Sequence, residues 1–391
     1  MRKNILLIIF LIISKLLNGQ TDNDTITSKF FHDKIISVSY QNGYVFPTND
    51  FVRGLNSEND IIDAFQTFTF KLTKQTTGSK FWEQNYKYPE YGVGMSILDF
   101  YNPEEIGMPI AFFGYFSAPF ISRERFKFSY EAGLGIAFNW KNYSPSNAHN
   151  RAIGVKQTAY IDLGLKTEFQ LTNRLYFDMG FSLSHFSNGR LKAPNLGLNT
   201  IAPKFSLHYK VSPQKTKYIV RENPDFKDKN EIYVTAFTGL KNIIYDSLNV
   251  KLSEKYEGET FSVSGISALY SRQISNKSKI GIGFDIAYDG SHLTQTAIDE
   301  GKNEVENGLF VDNIHISLFP SYELIVHKVS VIIQPGFYLY RKNIKNQSPV
   351  FYQRIGLKYN FYNDFFLGLN LRAYQYHISD YIEWNIGYRI D

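Results

Sequence analysis

A regular alternation of apolar and polar residues constrains this chain more than any other feature. In the segment 126–140 every second side chain is apolar: Phe128, Tyr130, Ala132, Leu134, Ile136 and Phe138. The positions between them hold Ser129, Glu131, Gly133, Gly135 and Asn139. Because successive side chains of a β-strand point to opposite faces, this pattern predicts a strand with one apolar and one polar face. The alternation recurs along the chain, which predicts an all-β fold.

The length of the alternating segments indicates the class of all-β fold. They run for ten residues or more, and their polar faces carry charges and glycines. Strands of a soluble sandwich have about 5–6 residues, whereas transmembrane strands need about 9–11 and turn an apolar face to the lipid. Aromatic residues at segment ends fit the girdles at the membrane surface: Trp140, Tyr209, Tyr288, Tyr340 and Trp384. The sequence therefore predicts an antiparallel transmembrane β-barrel of the bacterial outer membrane rather than a soluble sandwich.

About sixteen candidate strands can be counted. They are 35–45, 63–73, 91–101, 109–119, 126–140, 157–171, 174–187, 198–211, 231–241, 259–273, 278–292, 310–325, 328–340, 349–361, 364–376 and 380–390. Single-chain bacterial barrels have an even number of strands, so we expect roughly 12–16 strands in one barrel over residues 35–391. The charged segment from Lys210 to Asn230 is long for a periplasmic turn. The alternative is therefore a break at 212–230 between two eight-stranded units.

The N-terminal residues predict export. Residues 1–20 resemble a secretory signal peptide, because Arg2 and Lys3 precede an apolar run and Gly19 lies near the expected cleavage site. Residues 21–34 form a polar lead-in to the first strand. Together with the barrel pattern, these features predict an integral protein of the bacterial outer membrane.

Composition excludes several function classes. The chain of 391 residues contains no cysteine, so it has no disulfide framework. Its net charge of +5 is mild, and no Lys/Arg cluster with interleaved aromatic residues indicates a nucleic-acid partner. The sequence contains no P-loop and no dinucleotide fingerprint.

One hairpin, from Leu175 to Tyr209, places polar residues on an apolar face. The odd positions of its first strand are Leu175, Phe177, Met179, Phe181 and Leu183, and the same register continues to His185 and Ser187. After a loop of ten residues, Asn199 begins the apolar face of the second strand. We therefore expect a His, a Ser and an Asn to lie together at the hairpin tip, facing the lipid.

These three residue types can form a nucleophilic site. A serine hydroxyl is a weak nucleophile until a base accepts its proton, and the base needs a third group to orient it. Residues two apart on a strand share a face, so His185 can reach Ser187. Asn199 can orient His185 through its amide oxygen, as Asn does in papain-type proteases. The other interpretation is that the pair His185 and Ser187 are ordinary residues at the membrane edge.

The surrounding residues refine this prediction. Asn188, Gly189 and Asn195 in the loop can donate hydrogen bonds to an oxyanion. In the predicted register the nearby carboxylates of Asp162, Glu168 and Asp178 point into the barrel, so none of them can be the third member. The remaining histidines show no metal-ligand spacing and are assigned to the lumen or the loops: His32, His149, His208, His292, His315, His327 and His377. We therefore predict no metal site.

The hairpin tip, H-F-S-N-G-R-L-K-A-P-N-L-G-L-N from His185 to Asn199, resembles the lipid A 3-O-deacylase family, often labelled acyloxyacyl hydrolase. The family's members are outer-membrane barrels with a lipid-facing His–Ser–acid site. The resemblance implies that Ser187 is the nucleophile, His185 the base and Asn195 an oxyanion donor. The family's prototype has Glu where this chain has Asn199, and it is much shorter than this chain. Weaker likenesses lie at residues 150–154 and 380–388.

The same stretch also resembles outer-membrane phospholipase A, whose H-x-S-N-G-R segment carries a Ser–His–Asn triad. That enzyme is a barrel that acts as a calcium-bound dimer, so this resemblance implies calcium and a homodimer. No calcium-ligand cluster is evident near the tip, and the P-N-L-G loop fits the deacylases better.

The sequence as a whole therefore predicts a cofactor-independent carboxylic ester hydrolase of the outer membrane. Its expected substrate is lipid A within lipopolysaccharide, with glycerophospholipids as the alternative. A porin or structural barrel without activity is the second alternative.

Overall fold

The computed structural model describes residues 34–212, 216–222, 226–243, 249–342, 349–375 and 378–390. The predicted signal peptide at 1–20 lies outside these residues, as does the lead-in up to residue 33. No helix among the described residues has both the length and the apolarity to cross a bilayer.

Eight antiparallel strands form the first barrel. They are β1 (Lys34–Val45), β2 (Ala64–Gln75), β3 (Glu90–Asp99), β4 (Gly107–Ser122), β5 (Phe126–Trp140), β6 (Thr158–Gln170), β7 (Leu175–Ser187) and β8 (Leu198–Lys210). Each strand pairs with the next along the chain, and β8 returns to pair with β1, with Val38 opposite Leu207. A short helix, α1 (Phe81–Asn85), lies in the connection between β2 and β3.

Eight further strands form a second barrel. They are β9 (Lys229–Lys241), β10 (Phe261–Gln273), β11 (Ser278–Asp289), β12 (Ile314–Val326), β13 (Val329–Tyr340), β14 (Phe351–Tyr362), β15 (Phe365–Tyr374) and β16 (Ile378–Ile390). β16 pairs with β9, with Ile386 opposite Ala236, which closes this barrel. Its connections carry α2 (Val250–Lys255), α3 (His292–Asp299) and a 3-10 helix at Phe310–Asn313.

The structure confirms an antiparallel all-β barrel fold with sixteen described strands, but the expected single barrel is wrong. The reason is hydrogen bonding at the strand edges. An open edge leaves backbone N–H and C=O groups unpaired, which is costly in lipid. Pairing of β8 with β1 satisfies these groups within residues 34–210, so β9 begins a new cylinder. The described strands follow the alternative division into two eight-stranded units.

Both barrels show the predicted distribution of side chains. On β7, Phe181 and Leu183 point outward and are 63% and 49% exposed, whereas Ser182 and Ser184 are buried in the lumen. On β16, Trp384 and Ile386 are exposed and Glu383 is buried. An apolar outside around a polar interior is the arrangement of an outer-membrane barrel.

Buried ion pairs fill much of each lumen. In the first barrel Lys166 Nζ lies 3.1 Å from Asp178 Oδ2, and the same carboxylate contacts His208. In the second barrel Glu383 accepts from Arg372 at 2.7 Å and lies 2.8 Å from Arg354 Nε. These pairs lie inside the barrels, away from the lipid. In each of them a buried charge is balanced by an opposite charge.

The two ends of the barrels differ. At one end the connections are longer, including residues 141–157 and 188–197 in the first barrel and 290–313 in the second. Most connections at the other end are short turns, such as residues 171–174 and 363–364. Long loops face the cell exterior in barrels of this kind. The hairpin tip at 188–197 thus lies at the end expected to face outward.

Candidate active site

The hairpin of β7 and β8 brings His185, Ser187 and Asn199 together. In the strand register His185 lies directly opposite Asn199, and Ser187 follows two residues later at the end of β7. Directly opposite residues of an antiparallel pair share a face and have neighbouring side chains. The loop of ten residues therefore returns the chain to the position that sets Asn199 beside the imidazole.

The three side chains form a continuous hydrogen-bonded chain. His185 Nδ1 lies 2.6 Å from Asn199 Oδ1, and its Nε2 lies 2.9 Å from Ser187 Oγ. An amide oxygen only accepts, so Nδ1 carries the proton and Nε2 is left to accept from the serine hydroxyl. This is the tautomer that a general base for Ser187 requires.

The site lies on the outer face of the barrel, in the row of lipid-facing residues. His185 and Asn199 are half-buried, whereas Ser187 is only 6% exposed. The same row is open lower on the strand, where Phe181 and Leu183 are exposed. Ser187 is therefore sheltered, while the row below it remains open to lipid.

Phe186 anchors the end of β7 from the inside of the barrel. Its side chain is fully buried between the two outward-facing residues of the site. Its ring lies 5.2 Å from the rings of Trp140 and Tyr160, and 6.2 Å from that of Phe100. These rings belong to an apolar cluster that includes residues of the loops, such as Phe51. Packing of this cluster fixes the backbone that carries His185 and Ser187.

Hydrogen bonds within the 188–197 loop determine which groups face the site. The backbone N–H of Asn188 donates to Asn195 Oδ1 at 2.9 Å, and the side-chain amide of Asn188 donates to the carbonyl of Lys192 at 2.8 Å. The backbone N–H of Asn188 and one N–H of its side-chain amide are thus used within the loop. Asn195 accepts through its side-chain oxygen, and the donors of that side chain are on its NH₂. The oxyanion role of Asn188, Gly189 and Asn195 stays a prediction.

A neighbouring loop supports this one. Leu196 and Gly197 donate backbone hydrogen bonds to the carbonyls of Arg151 and Ala152, at 3.2 and 3.0 Å. These acceptors belong to the N-R-A-I-G segment at 150–154, noted above as a weak likeness to the deacylases. Gly154 permits the close approach, since a Cβ there would lie 2.1 Å from the carbonyl oxygen of Pro194. The segment positions the site loop.

The nearby carboxylates lie in the lumen, as expected from the register. Asp162 accepts from Ser184 at 2.7 Å, and Asp178 pairs with Lys166 and His208. Glu168 lies 3.3 Å from Lys127. None of these three carboxylates bonds to His185, which leaves Asn199 as its partner.

The sequence missed one cluster. Asp289, His292 and His315 are buried, and one potential ligand atom from each lies within 4.8 Å of the others. Within the described ranges this is the group of three Asp, Glu, His or Cys residues whose ligand atoms are close enough together to hold a metal ion. It lies in the second barrel. The prediction that there is no metal site depended on the spacing of histidines along the sequence. His315 is far from Asp289 in the sequence, but pairing of β12 with β11 brings it beside the end of β11.

Each half of the chain matches a family model, and the two models have related descriptions. Residues 66–209 match the family described as lipid A 3-O-deacylase (PagL), and residues 230–391 match the family described as acyloxyacyl hydrolase, C-terminal domain (PagL_C). Each half of the chain matches a model of the PagL family. The resemblance seen at the hairpin tip is thereby confirmed, and the second barrel coincides with the C-terminal domain of PagL-type acyloxyacyl hydrolases.

Several solved structures match the chain at low sequence identity and low TM-score. The crystal structure of the outer membrane enzyme PagL is 17% identical, covers 44% of this chain and 97% of its own, and gives a TM-score of 0.28. An outer membrane channel from Pseudomonas putida F1 is 11% identical over 95% of this chain and 97% of its own, with a TM-score of 0.20. A mutant of the Rh. blastica porin is 6% identical over 91% and 99%, with a TM-score of 0.17. No curated protein matches the chain.

The PagL matches also bear on the remaining predictions. They support a hydrolase with lipid A as the general substrate and the outer membrane as its location. They favour the deacylase over the phospholipase resemblance, and they give no support to the homodimer that the latter implied.

Proposed function

We propose that this protein is an outer-membrane serine esterase that removes an ester-linked acyl chain from lipid A. The observation that carries the proposal is the chain of hydrogen bonds from Ser187 through His185 to Asn199 on the lipid-facing row. The match of residues 66–209 to the lipid A 3-O-deacylase (PagL) family supports lipid A as the substrate.

The first half of the reaction forms an acyl-enzyme. Ser187 Oγ attacks the ester carbonyl carbon while His185 Nε2 takes the hydroxyl proton. The imidazolium is held by Asn199, whose oxygen accepts from Nδ1. When the tetrahedral intermediate collapses, His185 returns the proton to the departing alkoxide of the lipid, and the acyl group stays on Ser187.

Negative charge on the carbonyl oxygen needs hydrogen-bond donors. The side-chain NH₂ of Asn195 and the backbone N–H of Gly189 supply them in this proposal, because Asn188 already donates its backbone N–H and one side-chain N–H within the loop. A preorganised donor of this kind contributes about 10²–10³ to the rate.

The second half of the reaction regenerates the enzyme. Water attacks the carbonyl carbon of the acyl-Ser187 ester while His185 accepts its proton; on collapse the bond to Ser187 Oγ breaks, His185 returns the proton to Oγ, and a free fatty acid leaves. The outward position suits a lipid substrate, because its acyl chains already lie along the apolar wall formed by Phe181 and Leu183. Diffusion within the membrane then delivers the ester at the height of the site.

The test is the rate of fatty-acid release from lipopolysaccharide by purified wild type and Ser187→Ala. We expect the variant to lose at least about 10³-fold in kcat, since loss of a triad nucleophile removes most of the catalysis. Ser184→Ala is the matched control, because Ser184 lies on the same strand but points into the lumen. An inactive wild type, or a Ser187→Ala variant as active as the control, contradicts the proposal.

A phospholipase is the second candidate, favoured by the amide rather than carboxylate partner of His185. The same purified protein with phosphatidylcholine and phosphatidylethanolamine vesicles, with calcium or a chelator, separates the two. Calcium-dependent release from these vesicles and none from lipopolysaccharide supports the phospholipase. A conducting channel fits the first barrel poorly, because the apolar cluster around Phe186 and Phe100 occupies its site end.

A further inference from the structure

The second barrel contacts the loop that carries the candidate site. Arg190 Nη1 donates to the hydroxyl of Tyr374 and to the carbonyl of Ser379, both at 3.3 Å. Gly189 lies against Ile382, so closely that a Cβ at residue 189 would be 2.5 Å from Ile382 Cδ1. These contacts join residues two and three positions after Ser187 to the end of β15 and the start of β16.

The opposite end of the barrels carries a second set of contacts. Tyr86, in the connection between β2 and β3, donates to the carbonyl of Ile325 at 2.7 Å, and Lys277 lies 4.7 Å above its ring. Burial raises the pKa of the Tyr86 hydroxyl above its ordinary value, which keeps it a donor. The ring of Trp82 stacks on that of His327 at 5.6 Å.

The exposure of β16 agrees with these contacts. Ile382 and Ile386 both point outward on the same strand, but Ile386 is 52% exposed and Ile382 is half-buried. The same contrast holds on β15, where Leu369 is 42% exposed and Leu371 is half-buried. The less exposed residue of each pair is the one near Gly189. One face of the second barrel is therefore covered by the first at the level of the site.

We propose that the second barrel positions the site loop and forms a wall beside Ser187, so that the acyl chain approaches from the open side only. Ile382, Tyr374 and the carbonyl of Ser379 are positioning groups in this arrangement. They hold Gly189 and Arg190, and through them the backbone N–H assigned above to the oxyanion. The effect of these contacts on the reaction rate rests on the proposed esterase function. The contacts between the two barrels do not.

Gly189 explains why this contact is sensitive. Its φ of +59° is a left-handed conformation that glycine adopts without strain, and the absence of a side chain lets Ile382 reach the backbone. A loop held in this way cannot relax when its neighbour changes without moving its N–H groups. Misplacement by about 1 Å in a catalytic constellation costs up to about 10²-fold in rate.

The geometric test uses the absence of cysteine from the chain. In the full-length protein in bilayers, the pairs Arg190→Cys with Ser379→Cys and Trp82→Cys with His327→Cys should each crosslink within the chain. A pair at Arg190→Cys and Ile282→Cys, a residue on the exposed face of β11, is the control. If neither seam pair crosslinks faster than the control, the inference is overturned whatever the activity of the protein.

The kinetic test compares Ile382→Ala with Ile386→Ala on lipopolysaccharide. We expect Ile382→Ala to lower kcat about 10-fold or more with little change in KM, and Ile386→Ala to stay within about twofold of wild type. Tyr374→Phe changes no residue of the 188–197 loop but removes the hydroxyl that accepts from Arg190. It should lower kcat by a smaller factor, again with little change in KM. An active wild type with equal rates in Ile382→Ala and Ile386→Ala overturns the positioning role and leaves the esterase standing. Crosslinking with an inactive wild type overturns the esterase and leaves the seam standing.

A separate observation concerns the mouth of the second barrel. Asp289, His292 and His315 converge there, and His292 Nδ1 and His315 Nε2 are buried ring nitrogens with no hydrogen-bond partner. A buried polar atom without a partner costs about 1–3 kcal/mol, so such atoms call for a ligand or water. Two imidazoles and one carboxylate form a donor set that suits Zn²⁺ and related divalent transition metals.

We propose that Asp289, His292 and His315 bind one divalent transition-metal ion of the Zn²⁺ class, with an open fourth position. Lys241 is the competing cation, because its Nζ lies 2.9 Å from Asp289 Oδ2. The same ammonium lies 3.3 Å from Asp380, which can retain it when a metal takes the carboxylate of Asp289. The site would link α3 to β11 and β12 across the mouth of the barrel.

The test is titration of the full-length protein in detergent with Zn²⁺, by calorimetry. We expect one ion per chain in wild type and in His149→Ala, whose histidine lies in an exposed loop, and at least 10-fold weaker binding in His315→Ala. His315→Gln retains more of the side-chain volume and replaces His315→Ala if that variant does not refold. No binding to wild type below about 100 μM, or equal binding to wild type and the His315 variant, shows that water alone fills the site and overturns the proposal.

Discussion

At the scale of single residues, the identity of the third member distinguishes this site. An amide oxygen fixes the tautomer of His185 as a carboxylate does, but it brings no negative charge to stabilise the imidazolium. The contact of 2.6 Å shows that Asn199 is placed for the first role. The sequence predicted that these three side chains lie together, because strand register and spacing are local properties, and their hydrogen bonds show that they do. It could not show that Asn188 donates two hydrogen bonds within the loop, because these depend on how residues 188–197 fold.

Substitution of Asn199 separates orientation from charge. Asn199→Ala should lower kcat about 10²-fold or more, because His185 loses the group that fixes its tautomer. Asn199→Asp should retain activity or exceed wild type, because it keeps the acceptor and adds charge. Initial rates on lipopolysaccharide measure both. Wild-type activity in Asn199→Ala shows that the amide has no role.

At the scale of elements, alternate residues of β7 face the lipid and the inside of the barrel. His185 and Ser187 face outward, while Phe186 between them packs into the aromatic cluster inside the barrel. The alternation predicted this strand and its neighbours to within a few residues. It did not predict α1, α2, α3 or the 3-10 helix, since short helices within loops lack a long periodic signal. The segment expected as a strand at 310–325 therefore begins only at Ile314.

Phe186→Ala should destabilise the first barrel by about 3–5 kcal/mol, because it removes a buried aromatic ring and leaves a cavity. The measurement is reversible urea unfolding in lipid vesicles, followed by tryptophan fluorescence. Phe181→Ala is the control, because the same residue type lies on the same strand but faces the lipid. Equal losses in the two variants contradict the anchoring role.

At the scale of the whole molecule, closure decides the architecture, and closure is not a local property. Sixteen alternating strands are compatible with one wide barrel or two narrow ones, since the alternation within each strand is the same. Two barrels form because β8 pairs with β1, a strand far from it along the chain. The long charged segment at 212–230 is the sequence signal for two barrels, but a long periplasmic turn within one barrel has the same appearance in the sequence.

Since the strands of each barrel pair only among themselves, each half should fold alone. Residues 34–212 and 229–391, refolded separately into detergent, should each give the heat-modifiable gel shift of a closed barrel. The first half alone should release fatty acid more slowly than the full chain, because Ile382 and Tyr374 are missing. Failure of either half to refold contradicts independent closure, and an undiminished rate contradicts the role of the second barrel.

Among the described residues, the seam between the barrels contains side-chain contacts and no shared strand ladder. Such a join would be weak between separate proteins diluted in a membrane. The covalent tether between Lys210 and Lys229 changes this, because it fixes a one-to-one stoichiometry and gives each partner an effective concentration of the order of millimolar. A few modest contacts are then enough to keep the pair together, and affinity need not be built into the interface itself.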